Sequence, residues 1–432
     1  MNKTKFTISD IMKNLSRRSQ GINEIIARSL TIIGKKEGSI AALLPEKDRK
    51  KRLEQDIKEL RDNHQFDSSK LDLYGILVAV KDIFHLNGFK TRAGSQLDPD
   101  LITEKEGSLI KSLRSQGALF LGKTVTTEFA HAAPGPTRNP RNLEHTPGGS
   151  SSGSAAAVAA NYCPLALGTQ TIGSVIRPAA FCGIVGFKPT QGRIPADGLI
   201  KFSETVDQVG FFTETVTGVE LAFTSLISSS QHKKPKKIAR PVLAEPDKVY
   251  LKQADKIGFK NYEAAKLALE QSGYKIIETS ILNDIAEINN NHKTLIAYEF
   301  ARLHEDWYSS YQQLYRRESS ELIEKGLKIN KDDYLKAREY RMLLKNKFTE
   351  IMEKEGIDIF ISPAAIGPAP EGLKSTGDPV MNLPWTNAGL PVITVPSGQT
   401  SEGLPFGLQL AAKHETDEKL LKWAKNIAGL LI

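Results

Sequence analysis

The chain has 432 residues, of which 40% are hydrophobic and 25% charged, the proportions of an ordinary globular protein. Two cysteines, Cys163 and Cys182, exclude a disulfide scaffold and fit a reduced, cytoplasmic setting. A net charge of +8 permits attraction to nucleic acid, but the lysines are scattered, and the densest cluster, HKKPKK (232–237), lacks an aromatic residue that could stack on a base. That cluster reads as a solvated loop.

In chain order, the start MNKTKFTISDIMKNLSRR is polar, so no signal peptide is expected, and no apolar run nears the roughly 20 residues that span a bilayer. Residues 8–33 and 47–63 carry apolar positions at helical spacing. ILVAV (76–80) reads as a buried strand ending in Lys81 and Asp82. A helix over 105–116 leads to a second strand, ALFLG (118–122). From 146 to 212 glycine, serine, threonine and proline dominate, and charge nearly disappears between Gly148 and Arg177. Such a run argues burial, with hydrogen-bond partners for every hydroxyl and amide. A helix over 259–272 precedes the strand YKIIE. Long charged helices are expected over 293–325 and 332–355. DIFIS, PVITVP and FGLQLA supply three further strands, and a helix over 415–430 follows. The pattern predicts an α/β fold: a single large domain with a mixed, twisted sheet covered on both faces by helices. Its parts are an N-terminal helical region (about 1–65), a catalytic core (about 70–230), a helical substrate-side region (about 240–355) and a return to the sheet (about 356–432).

Two motifs mislead. GALFLGKT (117–124) satisfies the phosphate-loop pattern, but its variable positions are Ala-Leu-Phe-Leu, which suit a core strand better than a loop open to phosphate. GSSSG (149–153) satisfies the nucleophile-elbow pattern with Ser151 central, yet RNLEHTPG ahead of it is no apolar strand. Its partner would be His414, which lies in a polar stretch and reads as a surface residue. Cys182 reads as a small buried residue rather than a nucleophile.

Three segments belong together: GILVAVKDIF with Lys81, TPGGSSSGSAAAVAA with Ser150, and LGTQTIGSVIRPAAFCGIVGFKPT with Ser174. With GSLIKSLRSQGALFLGKTVTTEF and LPVITVPSG, they make the sequence resemble the amidase signature family, the Ser-Ser-Lys amide hydrolases, from about residue 70 to 412. Ser150 and Ser174 stand 24 positions apart, the separation that the resemblance gives to a bridging serine and a nucleophile. It therefore implies Ser174 as nucleophile, Ser150 as proton relay and Lys81 as general base. It also implies a cis peptide before Ser150, and an oxyanion hole from the backbone N–H groups of Thr171, Ile172, Gly173 and Ser174. Ser151 is expected to hydrogen-bond and orient Lys81. Physical chemistry agrees: a lysine acts as a base only if burial lowers its pKa well below about 10.4, and a strand such as ILVAV can bury it.

The chain departs from the family pattern in places. Ser152 stands where the loop usually has glycine. Gln170 replaces an acid, Ile172 replaces glycine, and Arg177 comes one place late. These departures motivate an alternative, an inactive amidase-fold binding protein. A second alternative is the catalytic subunit of a tRNA-dependent amidotransferase. EGLKSTGDPVMNLPWTNAGLP favours a free-standing amidase, in which Trp385 lines the acyl pocket or belongs to the core. The expected partner is a small amide, with no membrane, no nucleic acid, no cofactor and no metal. A homodimer is admissible.

Overall fold

A computed structural model describes residues 6–15, 21–63, 71–227 and 238–431; the HKKPKK cluster lies outside them. Among the described residues, ten strands form one sheet. In chain order they are β1 (Leu77–Lys81), β2 (Leu119–Thr124), β3 (Leu165–Gln170), β4 (Val185–Lys188), β5 (Gln208–Thr213), β6 (Leu243–Glu245), β7 (Ile276–Glu278), β8 (Ile359–Pro363), β9 (Val392–Gln399) and β10 (Pro405–Ala412). Their spatial order is 2-1-3-5-4-9-10-8-6-7. β1 runs parallel to β2 and β3, and β6 runs parallel to β7 and β8, while every pairing between β3 and β8 is antiparallel.

Every residue of β1 to β5 and of β8 is buried. Successive side chains on a strand point to opposite faces, so both faces of the sheet are covered, as expected. The covering helices include Arg49–Asn63 over β2, Ser152–Ala159 over β3 and β1, Val216–Leu226 over β5, and Asp417–Leu431 over β9. Among the described residues, no helix is long and apolar enough to cross a membrane.

Several expectations need adjustment. The helix expected over 8–33 is two helices, Ile8–Leu15 and Gly21–Ile40, and residues 16–20 between them lie outside the described residues. The helix expected over 293–325 ends at Tyr311, and a new one runs over Arg317–Leu327. The break turns Tyr315 inward, where it sits 5.3 Å from the Phe129 ring and its hydroxyl meets His304 Nδ1 at 3.0 Å. The phosphate-loop pattern is β2, wholly buried, with Lys123 paired to Asp82 at 2.8 Å.

Candidate active site

The apolar residues of β1 carry Lys81 into the interior, where it is fully buried. Its Nζ donates to Ser150 Oγ at 2.7 Å and to Thr169 Oγ1 at 2.8 Å. Burial disfavours the ammonium and brings the pKa down to about 7, while the negative charge of Asp207 pulls it upward. A lysine so placed is neutral in a substantial fraction of molecules near pH 7, and the neutral amine can take a proton from a hydroxyl.

Ser150 lies in the glycine-serine stretch, and every residue from Thr146 to Ala160 is buried. This segment is therefore part of the core and no linker. Gly148 has φ +84°, and a Cβ there would stand 2.9 Å from Pro178 Cα, so glycine is required twice over. The Gly149–Ser150 peptide is cis. Arg177 Nη2 donates to Gly149 O at 2.7 Å, and Thr127 N donates to Ser150 O at 3.3 Å. Ser152, in place of the usual glycine, opens the helix Ser152–Ala159, and its hydroxyl reaches Val125 O at 3.4 Å.

Beyond β3 the chain turns through Thr171–Ser174 into the short helix Ile176–Cys182. Gln170, fully buried at the strand end, holds this turn: its Oε1 accepts Val175 N at 2.9 Å and Ile176 N at 3.0 Å, and its Nε2 donates to Thr386 Oγ1 at 2.8 Å. The amide thus does the capping that Ser174 would do if it were only a helix cap. Thr386 Oγ1 also donates to Ile172 O at 2.7 Å, and Thr171 Oγ1 donates to Asp207 Oδ1 at 2.5 Å. Ile172 is not among the residues with positive φ, so it replaces glycine without strain. A Cβ on Gly173 would meet Asn382 Oδ1 at 2.2 Å. Ser174 stands partly exposed in this turn. Arg177 points inward, donates to Gly377 O as well as Gly149 O, and is brought down to about 10 by burial.

Of the residues singled out in the sequence, Lys81 and Ser150 are in direct contact, and Thr171, Ile172, Gly173 and Ser174 form one turn. Ser151 is a correction. In place of the expected contact with Lys81, its Oγ donates to Thr169 O at 3.3 Å and accepts Thr169 N at 3.4 Å, and Thr169 makes the contact with Lys81 instead. As the first residue before a helix, Ser151 has its side chain turned toward β3. Ser151 also follows a bend rather than a strand, so there is no nucleophile elbow. Its would-be partner His414 has Lys345, Glu415, Lys188 and Arg341 as charged neighbours, and burial takes its pKa to about 4. Trp385 is a core residue, fully buried among Tyr250, Phe348 and Phe360. Cys182 is buried with its thiol pushed up to about 12.

Thr169 and Asp207 escaped the sequence reading. Thr169 could have been found as the residue two before Thr171 on an alternating strand. Asp207 needs the β3–β5 register. Phe202 lies 4.6 Å from Phe300 and 5.5 Å from His131, ring to ring. The His131 carbonyl accepts Thr127 Oγ1 at 2.6 Å, which ties this aromatic group to the loop that holds Ser150.

The family model described as Amidase matches residues 48–421. The A subunit of glutamyl-tRNA(Gln) amidotransferase from a Nitratiruptor species is 30% identical over 87% of this chain and 96% of its own length. The same-named protein of Alkaliphilus metalliredigens is 30% identical over 98% and 96%. Among solved structures, one described as an amidase shares the fold at TM-score 0.88 and 24% identity, covering 99% of this chain and 100% of the other. A peptide amidase in complex with chymostatin does so at TM-score 0.82 and 24% identity, covering 99% and 97%. This chain, with its buried lysine beside a glycine-serine loop, belongs to the amidase signature family and is an amidohydrolase acting on amide C–N bonds.

Proposed function

We propose that this protein is a free-standing amidase that cleaves a small carboxylic amide through an acyl-enzyme on Ser174. The observation that carries this reading is the fully buried Lys81, with a pKa near 7 and its Nζ 2.7 Å from Ser150 Oγ. Neutral Lys81 draws the Ser150 proton, Ser150 draws that of Ser174, and the Ser174 oxygen bonds to the carbonyl carbon. The oxyanion takes hydrogen bonds from the backbone N–H groups of Thr171–Ser174, which Gln170, Thr386 and Asp207 hold before charge develops. The proton returns through Ser150 to the leaving nitrogen as the C–N bond breaks. Water then attacks the ester by the same relay and frees the carboxylate. Residues 1–432 act as one unit in this scheme, with the helices between about 240 and 355 shaping substrate choice, and Phe202, Phe300 and His131 walling the acyl side. Both cysteines are unpaired thiols, in keeping with a cytoplasmic enzyme.

The test is ammonia release from a panel of aliphatic, aromatic and amino-acid amides, with Ser174→Ala as control. Release that vanishes in a folded Ser174→Ala is the expected result, and an unchanged rate in that variant refutes the mechanism. The sequence relatives favour a second reading, one component of an amidotransferase. Co-purification with partner subunits and salt-sensitive association with tRNA would replace the first reading with it. The capping by Gln170 weighs against an inactive binding protein, and stoichiometric labelling of Ser174 by a fluorophosphonate would dispose of that idea.

A further inference from the structure

β3 and β5 are antiparallel, with Thr169 opposite Val209 and Gln170 opposite Gln208. Continued by one residue, the same register sets Thr171 opposite Asp207. Because side chains alternate along a strand, Thr169, Thr171 and Asp207 share one face of the sheet. On that face the Lys81 amine is bound to Thr169 Oγ1. Asp207 is therefore the carboxylate that this corner of the fold places beside both the amine and the oxyanion turn. Its Oδ1 takes the Thr171 hydroxyl at 2.5 Å, and its Oδ2 takes Phe202 N at 2.7 Å and Ser203 N at 3.1 Å. One carboxylate thus fastens the first residue of the turn to the backbone of Phe202 and Ser203.

We propose that Asp207 is a positioning residue that sets the proton affinity of Lys81 and the place of the oxyanion turn together. The proposal rests on the assignment of Lys81 as base. Burial alone would drive the lysine toward the neutral amine; the nearby carboxylate offsets part of that, leaving a base strong enough to accept a serine proton. Asp207 is itself raised to about 6 by burial, against the pull of its three hydrogen bonds and of Lys81. Three other ionisable groups border this corner. Glu299, on the helix Ile285–Tyr311, accepts Ser203 Oγ and Thr205 N. His292, on the same helix, lies against the Thr171 backbone and is kept near 4 by burial. Arg341, from the helix Lys331–Glu355, is held to about 10 by burial. Neither Glu299 nor His292 bonds Asp207 directly, although Glu299 meets it through Ser203 and His292 through Thr171.

The experiment follows the 13Cε resonance of Lys81 in protein labelled at lysine, assigned with Lys81→Met, alongside the pH profile of kcat/KM. In Asp207→Asn the Lys81 titration and the acid limb of activity should both move down by about one pH unit, the direction set by removing a negative charge from beside an ammonium. Plateau kcat should fall by about tenfold or more as the turn loosens. An unmoved titration in folded Asp207→Asn overturns the proposal. A wild-type Lys81 that stays protonated to pH 9 overturns instead the assignment of Lys81 as base, so the two failures are distinct. Should Asp207→Asn not fold, Thr171→Val and Thr171→Ser decide. Valine should lower kcat with KM little changed and serine should restore it; equal kcat in both variants overturns the proposal.

Discussion

Replacing Lys81 by methionine removes a charge-bearing group from the interior while keeping most of its length, and the consequence for stability can be worked out. The folded-state pKa is about 7 against 10.5 for the unperturbed group. The unfolded chain therefore binds more protons between those values, and stability rises with pH across that window. At pH 7 keeping this lysine buried costs about 4 kcal/mol relative to an unperturbed one, and at pH 9 about 2 kcal/mol. Lys81→Met is free of that cost, but it leaves Ser150 Oγ and Thr169 Oγ1 without their donor, a loss of about 1–3 kcal/mol for each. The two contributions nearly cancel at pH 7, so the variant should be close to wild type there. The pH dependence does not cancel. Urea unfolding at pH 7 and pH 9 should show wild type gaining about 2 kcal/mol on the variant over that interval. A gap that stays constant with pH would mean that Lys81 is an ordinary cation. The account of the base, and of activity that rises as pH passes through about 7, would go with it.

Gln170→Ala should orphan the buried Val175 and Ile176 amides, costing about 2–5 kcal/mol, and should lower kcat by about 100-fold through displacement of Ser174. Thermal melting and steady-state kinetics measure both, and a variant that melts and turns over like wild type would contradict the capping role. Trp385→Ala should destabilise the fold by about 3–5 kcal/mol while leaving KM for a small amide unchanged. A KM change at unaltered stability would return Trp385 to the acyl pocket.

β1, β2 and β8 each contain a continuous apolar run that was legible in the sequence, β9 and β10 coincide with the stretches PVITVP and FGLQLA, and β7 falls within YKIIE. β3, β4 and β5 were not picked out, because they fall in or at the end of the 146–212 stretch, whose glycine, serine, threonine and proline obscure short strands. The helix Ser152–Ala159 was hidden for another reason. It is buried on every side, so it carries no amphipathic stripe for a period to reveal. The same division runs through the site. Lys81 and Ser150 stood out by motif and do meet. Thr169 and Asp207 act through cross-strand register, which no local pattern encodes. Ser151 misled because its neighbours in sequence resemble those of Ser150, while the direction of its side chain depends on the helix that starts after it.

The clamp on the turn Thr171–Ser174 comes from far along the chain. Gln170 is held by Thr386, Arg177 by Gly377, and Gly173 packs against Asn382. A ribosome delivers residues 376–386 only after the lysine, both serines and most of the sheet have emerged, and contacts so distant in sequence must wait for them. Until then the nascent chain carries Ser174, the proposed nucleophile, without a fixed set of donors around it. Hydrolytic competence would thus arrive late in synthesis, and a chain interrupted before that point would hold the reactive residues in a harmless arrangement.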